Sequence, residues 1–244
     1  MNFGLFDLGV GKGYRTKEFR GFGTPREQRE ARMEEDLEVI RRAWTEEHFS
    51  FAGQFYHLAD VRLSPRPVQK PHPPLWIGAR GKKATERASR LGCHLMGTGD
   101  IEQTRDYDQA LQRYGRNPQD FFVAQLRWVY LAESRDRAWD DAGEHLHYLF
   151  STAFPLLKEA GDLRADRAMR EVPSVQDLRK IDPTIPGGAP IVGTPQDCIR
   201  AIESYRQATR VTHLALGMHL PGLAPAKIKQ SMTRFAKEVM PQFK

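Results

Sequence analysis

Gly4-Leu-Phe-Asp-Leu-Gly-Val-Gly-Lys-Gly-Tyr14 is the stretch around which the rest of the chain is organised. Its apolar residues at 5, 6, 8 and 10, bounded by glycines, are typical of a buried strand in a parallel sheet. Glycines at 9, 11 and 13 leave the end of this strand almost without side-chain bulk, so a flat or phosphorylated ligand can approach its backbone. The same spacing also fits a second interpretation, a glycine-rich turn in which Lys12 is exposed to solvent. This stretch alone leaves both interpretations open.

Four further strand candidates follow, and helical patterns separate them. The strands are residues 75–79, 93–98, 121–132 and 212–217. The first helix is predicted over about 25–46, where Thr24, Pro25 and Glu27 favour a capped start. Prolines and glycines interrupt residues 151–190, which indicates an excursion or lid rather than a core unit. Strands that alternate with helices make βα units and a parallel sheet.

Two architectures fit 244 residues of this pattern, a doubly wound sheet and a (β/α) barrel. Small or polar residues follow nearly all the strands, as in sites at the carboxyl end of a barrel. No Gly-x-Gly-x-x-Gly motif follows a strand, which counts against the doubly wound sheet. We therefore predict an α/β fold with a TIM-type (β/α) barrel in a single domain, residues 1–244.

Composition narrows the class of protein. The net charge is +6 and the pI about 9.4, but acidic and basic residues are interleaved, so we expect no nucleic-acid partner. Cys93 and Cys198 lie in apolar stretches and read as small core residues in a reducing cytosol. No apolar run approaches the roughly 20 residues of a membrane span, and the first residues lack the pattern of a signal peptide. These features predict a cytoplasmic protein.

Taken in order, the motifs resemble those of the bacterial luciferase-like flavin-dependent monooxygenases. The resemblance is carried by residues 9–14, 18–19, 21–25, 41–44, 51–56, 73–79, 190–199 and 235–241. They follow the order of the family along nearly the whole chain, and the match is weakest across 151–186. No single motif is decisive, but the ordered set is fairly specific.

The resemblance implies a barrel that binds reduced FMN, or alternatively a deazaflavin coenzyme, at the strand ends. Reduced flavin and oxygen would oxidise a small organic substrate, with a flavin reductase as electron source, whereas deazaflavin members transfer hydride. By position, the cofactor-binding residues are Gly11, Lys12, Tyr14, Ala79, Arg80, Gly81 and Thr98. Lys12 and the turn 79–81 match the phosphate site, and the others would lie near the rings. A structural role stays open for three of these residues: Arg80 as a solvated loop residue, Tyr14 as a packing aromatic and Thr98 as an N-cap.

The family's barrel has eight strands, and the opening stretch corresponds to the fourth of them. The five strand units therefore correspond to strands four to eight, and we expect a partial barrel without three βα units of about 30 residues each. In the family those units supply a catalytic histidine, so no catalytic residue is assigned here. Open sheet edges favour association with another chain, and the resemblance implies an oligomer, so we expect a homo-oligomer. A non-catalytic flavoprotein or partial-barrel subunit is the alternative, and an unrelated phosphate-binding barrel enzyme ranks last.

Overall fold

A mostly parallel, curled sheet with helices around it forms a half-barrel. The computed structural model describes residues 6–160, 172–187 and 189–243. The strands are β1 Leu8–Val10, β2 Phe49–Ala52, β3 His57–Val61, β4 Leu75–Gly78, β5 His94–Gly97, β6 Val123–Leu131, β7 Ile191–Gly193 and β8 His213–Gly217. The helices are α1 Thr16–Gly21, α2 Arg29–Thr45, α3 Lys82–Arg90, α4 Ile101–Arg113, α5 Arg135–Ala160, α6 Val175–Lys180, α7 Pro195–Ala208 and α8 Pro225–Arg234.

Strand pairing follows the chain from β1 to β6. The main sheet runs β1-β4-β5-β6, and all of its pairs are parallel. β6 is long enough to pair with two more strands. β8 pairs with its residues 124–128 and β7 with its residues 129–131. β2 and β3 form a separate antiparallel hairpin. The partial barrel that the sequence predicts is therefore confirmed.

Three local predictions need correction. The sheet contains β7 besides the five predicted strands, a piece of three residues that is too short to show a period. The helix predicted over about 25–46 begins as a 3₁₀ turn at Arg26–Gln28, and no side chain caps α2. Residues 151–160 of the predicted excursion continue α5, and Val175–Lys180 forms α6. Residues 161–171 of that excursion lie outside the described residues.

The two faces of the sheet differ in burial. On the outer face Leu75, Ile77, Leu95 and Val123 are at most 2% exposed and form one core with residues of α2, α3 and α4. On the inner face Trp76 packs against the rings of His94, Phe122 and His213. Nearer the carboxyl ends of the strands on that face, the side chains of Met96 and Leu126 are 43% and 49% exposed. The interior of the half-barrel thus presents apolar side chains to solvent.

Both cysteines are buried and free, as the sequence predicts for core residues. Burial raises the pKa of the Cys93 thiol to about 11 and that of Cys198 to about 12. Thiols with such pKa values stay protonated at neutral pH and are poor nucleophiles. Within the described part of the chain, no helix is both long and apolar enough to cross a membrane.

Candidate functional site at the carboxyl ends of β1, β4 and β5

A flat patch of backbone lies where β1 and β4 end. Val10 pairs with Ile77, and Gly11 and Gly78 are the next residues of the two chains. A Cβ atom at Gly11 would meet nothing within 4 Å, and one at Gly78 would meet only the Val10 carbonyl at 3.6 Å. Because side chains alternate along a strand, this bare surface lies on the inner face, next to Met96 of β5. The patch can accept a planar ligand against the backbone.

The turn from β4 into α3 offers donors for an anion. Gly81 is the N-cap of α3, and its carbonyl accepts from the backbone N–H groups of Ala84 and Thr85, both at 3.0 Å. The first turn of α3 contains Lys82 and Lys83 and no acidic residue, so the helix dipole is uncompensated there. Arg80 is exposed, and no described residue pairs with it. The arrangement suits a phosphate group.

A buried glutamine ties this turn to the end of β5. Gln103 Oε1 accepts from the Thr98 backbone N–H at 2.7 Å and from the Thr98 hydroxyl at 2.9 Å. Its Nε2 donates to the Ala79 carbonyl at 3.1 Å and to the Thr85 hydroxyl at 3.3 Å. Ala79 and Thr98 are therefore held at a fixed spacing by one side chain. The N-cap of α4 is Asp100 rather than Thr98, whose hydroxyl donates to the Asp100 carboxylate.

Lys12 lies on the other side of β1. Its Nζ atom is 2.6 Å from Glu30 Oε1, and its side chain is only 18% exposed. Arg87 of α3 bonds the second oxygen of Glu30 at 2.5 Å and also Glu34 at 2.7 Å. Alternation continued past the end of β1 turns Lys12 toward the helices, whereas the backbone of Gly11 adjoins both the bare patch and the α2 side.

These contacts lower the pKa values of two carboxyls. The hydrogen bond from Lys12 is the main cause for Glu30, and Arg87 adds to it. For Glu34, burial works to raise the pKa, but hydrogen bonds and charges from Arg90 and Arg87 outweigh it. The Lys12–Glu30–Arg87–Glu34 network thus joins β1, α2 and α3.

Acid should weaken this network. A carboxyl whose pKa is depressed by folding stabilises the fold above its ordinary value of 4.5, and that stability is lost as the pH falls through the folded value. We expect Arg87→Gln to lower the free energy of unfolding by about 1–2 kcal/mol at pH 7, since Glu30 and Glu34 each lose one of their two cationic partners and keep only Lys12 and Arg90. Urea unfolding at pH values from 6 to 3.5 should show that the free energy of unfolding falls less in this variant than in the wild type. An equal fall in the two proteins would contradict the role assigned to Arg87.

A cavity of about 600 Å³ lies between β1 and α2. Lys12 lines it together with Arg29, Arg32 and Asp36, and the buried Nε atoms of both arginines have no hydrogen-bond partner among the residues that the structure describes. Gly9 and Gly11 form part of its wall. Lys12 therefore faces a second place where an anion could bind, separate from the α3 turn.

A smaller, apolar cavity of about 230 Å³ lies beside α5 and α6. Phe150, Leu178, Ile181 and Ile185 line it, and so do Pro186, Gly187, Ala189 and Pro190. Gly187, in that wall, lies next to the loop after β5, since a Cβ atom there would be 3.3 Å from Asp100 Cβ. An apolar substrate body fits such a surface.

The structure brings only some of the sequence-predicted residues together. Gly11, Arg80 and Thr98 follow neighbouring strands, Ala79 is buried beneath them, and Gly81 begins α3. Tyr14 is 39% exposed, four residues beyond β1, and its carbonyl accepts from Arg26 Nε at 3.2 Å. Among the described residues no cluster of His, Cys, Asp and Glu could hold a metal ion. Sequence reasoning missed Gln103, because a polar residue within an amphipathic helix gives no signal of its contacts.

Comparison with protein families identifies the chain. The family model described as luciferase-like monooxygenase matches residues 2–213. The chain belongs to the luciferase-like monooxygenase family. The resemblance seen in the order of the sequence motifs is therefore confirmed.

Relatives in this family use different cofactors. The chain is 36% identical over 91 residues to an FMNH(2)-dependent dimethylsulfone monooxygenase of Pseudomonas putida, a match that covers 36% of the chain and 25% of the relative. It is 26% identical to an F420-dependent glucose-6-phosphate dehydrogenase of Amycolatopsis mediterranei, across 100% of the chain and 71% of the relative.

A solved structure agrees with the fold. The monooxygenase RslO1 from Streptomyces bottropensis superimposes with a TM-score of 0.75 at 24% identity, over 98% of this chain and 69% of that one. Each alignment thus leaves between about a third and three quarters of the related protein unmatched.

Proposed function

We propose that this chain is a flavin-dependent oxidoreductase of the luciferase-like type, which uses reduced FMN and oxygen on a small organic substrate. The observation that carries the proposal is the bare backbone at Gly11 and Gly78 beside the start of α3, whose first turn holds Lys82 and Lys83 and no acidic residue. A flavin needs both features, a flat apolar surface for its rings and donors for its phosphate. Family membership and the FMNH(2)-dependent relative support the assignment.

The residues present fit the flavin in shape and in charge. A ring system can lie on the inner face over Gly11 and Gly78, with Thr98 and Met96 at its side. Arg80 and the free N–H groups at the start of α3 would hold the phosphate, and no carboxylate of the first turn opposes it. Tyr14 would close the β1 side.

Bound reduced flavin would supply the electrons that activate oxygen, and the chain's own residues would hold it in place. Gln103 sets the distance between the β4 turn and Thr98, so it fixes the width of the cofactor site. The apolar cavity beside α5 and α6 would take the body of the substrate. Because reduced FMN must be generated elsewhere, a flavin reductase is the expected partner.

A deazaflavin coenzyme is the second candidate cofactor. The F420-dependent relative aligns with the whole chain, and its printed name describes a dehydrogenase rather than an oxygenase. A deazaflavin would use the same strand ends and transfer hydride to its substrate. Titration with F420 in parallel with FMN separates the two candidates.

Fluorescence titration with FMN tests the site and its two candidate phosphate contacts. We expect Arg80→Ala to weaken FMN binding about tenfold, the loss of one charge-assisted hydrogen bond. Lys12→Ala reports on the alternative position, where the phosphate would have to compete with Glu30. Arg105→Ala removes an exposed arginine of α4 and is the matched control.

Each outcome assigns the phosphate differently. A loss with Arg80→Ala alone supports the α3 turn, and a loss with Lys12→Ala alone moves the phosphate to the cavity beside α2. Absence of FMN and F420 binding in the wild type would refute the proposed function. Binding without oxidation of any substrate by the reduced complex would favour the non-catalytic alternative.

We further propose that the protein associates through the inner face of the half-barrel. Met96, Phe122 and Leu126 are between 42% and 49% exposed on that face. Several exposed apolar side chains on one face of a sheet favour association with another chain. Light scattering should show a mass above 27.9 kDa, the mass of one chain, and a monomer at micromolar concentration would contradict this proposal.

A further inference from the structure

A buried arginine on β6 has two hydrogen-bonding groups that no described residue uses. Arg127 is 3% exposed, and among the described residues its buried Nε and Nη2 atoms have no partner. Its guanidinium carbon lies 4.9 Å from the centre of the Tyr205 ring, and a hydrogen bond with the Tyr205 side chain also stabilises the charged form. An ionised side chain that is buried and unpaired is strongly unfavourable, so a structure that keeps one has a use for it.

Among the described residues, no carboxylate near Arg127 is free to pair with it. Asp100 is the carboxylate whose charge acts on Arg127. Both oxygens of Asp100 are already engaged, one by the Thr98 hydroxyl and the other by the Gln103 backbone N–H. Burial consequently lowers the pKa of Arg127, with only partial compensation from Tyr205 and Asp100.

A second unpaired group lies two residues away. Gln125 is 1% exposed, and its Nε2 donates to the Thr98 carbonyl, while no described residue donates to its buried Oε1. Gln125 and Arg127 alternate with Leu126 along β6, so both point toward the outer layer. Unpaired donors and an unpaired acceptor therefore lie on the same side of one strand.

The chain between α6 and β7 lies against two groups that act on Arg127. The Tyr205 hydroxyl donates to the Pro183 carbonyl, which holds the segment against α7. A Cβ atom at Gly187 would be 3.3 Å from Asp100 Cβ, so the other end of the segment lies next to Asp100. Asp182, Ile185, Pro186 and Gly187 of the same segment line the apolar cavity of about 230 Å³. A small ligand would reach Arg127 by displacement of this segment.

We propose that Arg127 binds a small anion with two acceptor oxygens, a carboxylate or a hydrogen phosphate, beside residues 183–187. Nε and Nη2 are the pair of donors that a guanidinium offers to such a group side-on. A protonated oxygen of the anion, or one water beside it, would donate to Gln125 Oε1. The site lies on the outer side of the sheet, away from Gly11 and Gly78, and does not depend on the flavin assignment.

Thermal unfolding with inorganic phosphate or acetate tests the proposal, with chloride exchanged so that ionic strength stays constant. Both probes are used because a free phosphate and an organic acid share the relevant chemistry. We expect the Tm of the wild type to rise by several degrees at millimolar concentration of at least one of them. Arg127→Gln should remove this response, and Arg127→Lys, which keeps the charge without the fork, should weaken the affinity at least tenfold. Arg105→Gln is the control and should respond as the wild type does.

A direct measurement on the wild type needs no variant. The Arg127 Nε–H group should give a slowly exchanging ¹⁵N–¹H resonance that shifts during the titration with the effective anion. Equal Tm responses in wild type, Arg127→Gln and Arg105→Gln would reduce the effect to general ionic stabilisation and overturn the proposal. A wild type that shows neither a Tm response nor a shift of this resonance would mean that water satisfies Arg127, and would overturn it as well.

Discussion

Replacement of Gln103 by leucine is expected to lower the free energy of unfolding by about 3–5 kcal/mol, because the change leaves several buried backbone groups unpaired at about 1–3 kcal/mol each. The backbone N–H groups of Thr98 and Gly99 and the carbonyl of Ala79 all lose their partner. For a chain of this size the Tm should fall by roughly 8–15 °C. Differential scanning calorimetry and urea unfolding measure the two quantities.

Gln103→Glu is the matched variant. An ionised glutamate keeps the oxygen that accepts from Thr98 and Gly99, but it cannot donate to Ala79 or Thr85. Its stability should therefore fall between those of the wild type and Gln103→Leu. A leucine variant within 1 kcal/mol of the wild type, roughly the margin of an ordinary surface change, would mean that Gln103 does not hold the site together.

Replacement of Gly11 by leucine is expected to abolish flavin binding while the fold survives. A Cβ atom at this position meets nothing in the protein, so we expect the free energy of unfolding to change by less than about 1 kcal/mol. The added side chain would occupy the surface on which the rings are proposed to lie. FMN affinity should fall by more than about a hundredfold, since loss of ring stacking and steric exclusion act together.

Gly21→Leu is the control for this change. Gly21 also has nothing within 4 Å of an added Cβ atom, and it lies in α1 rather than at a strand end. Its FMN affinity should equal that of the wild type. Wild-type affinity in Gly11→Leu would place the rings elsewhere, and equal losses in both variants would point to a general effect of surface leucines.

The fold was largely predictable because its strands carry strong local signals. Apolar runs bounded by glycines mark β1, β4 and β5, and the mixed aromatic run marks β6. β7 escaped prediction because three residues show no period. The start of α2 differs from the predicted one because the Thr24 hydroxyl donates to the Phe22 carbonyl and does not cap the helix. Competition of this kind between local hydrogen bonds is invisible in the residue pattern.

The candidate site was predictable only where backbone chemistry defines it. Glycines at 11 and 81 signal open backbone whatever surrounds them, and the structure leaves both of them open. Lys12 shows where prediction from sequence fails. Its position in the chain places it near the glycines, but its side chain turns toward Glu30. Gln103 and Arg127 act through partners distant in sequence, and spacing alone carries no trace of such contacts.

Comparison of FMN with riboflavin tests the central claim most directly. The two flavins share the ring system and differ by the phosphate, so the ratio of their dissociation constants isolates the anion site at the start of α3. The account predicts that the wild type binds FMN about tenfold or more tightly than riboflavin, and that Arg80→Ala brings the ratio close to one through weaker FMN binding alone. Equal affinity of the wild type for FMN and riboflavin, or an unchanged ratio in Arg80→Ala, would contradict it.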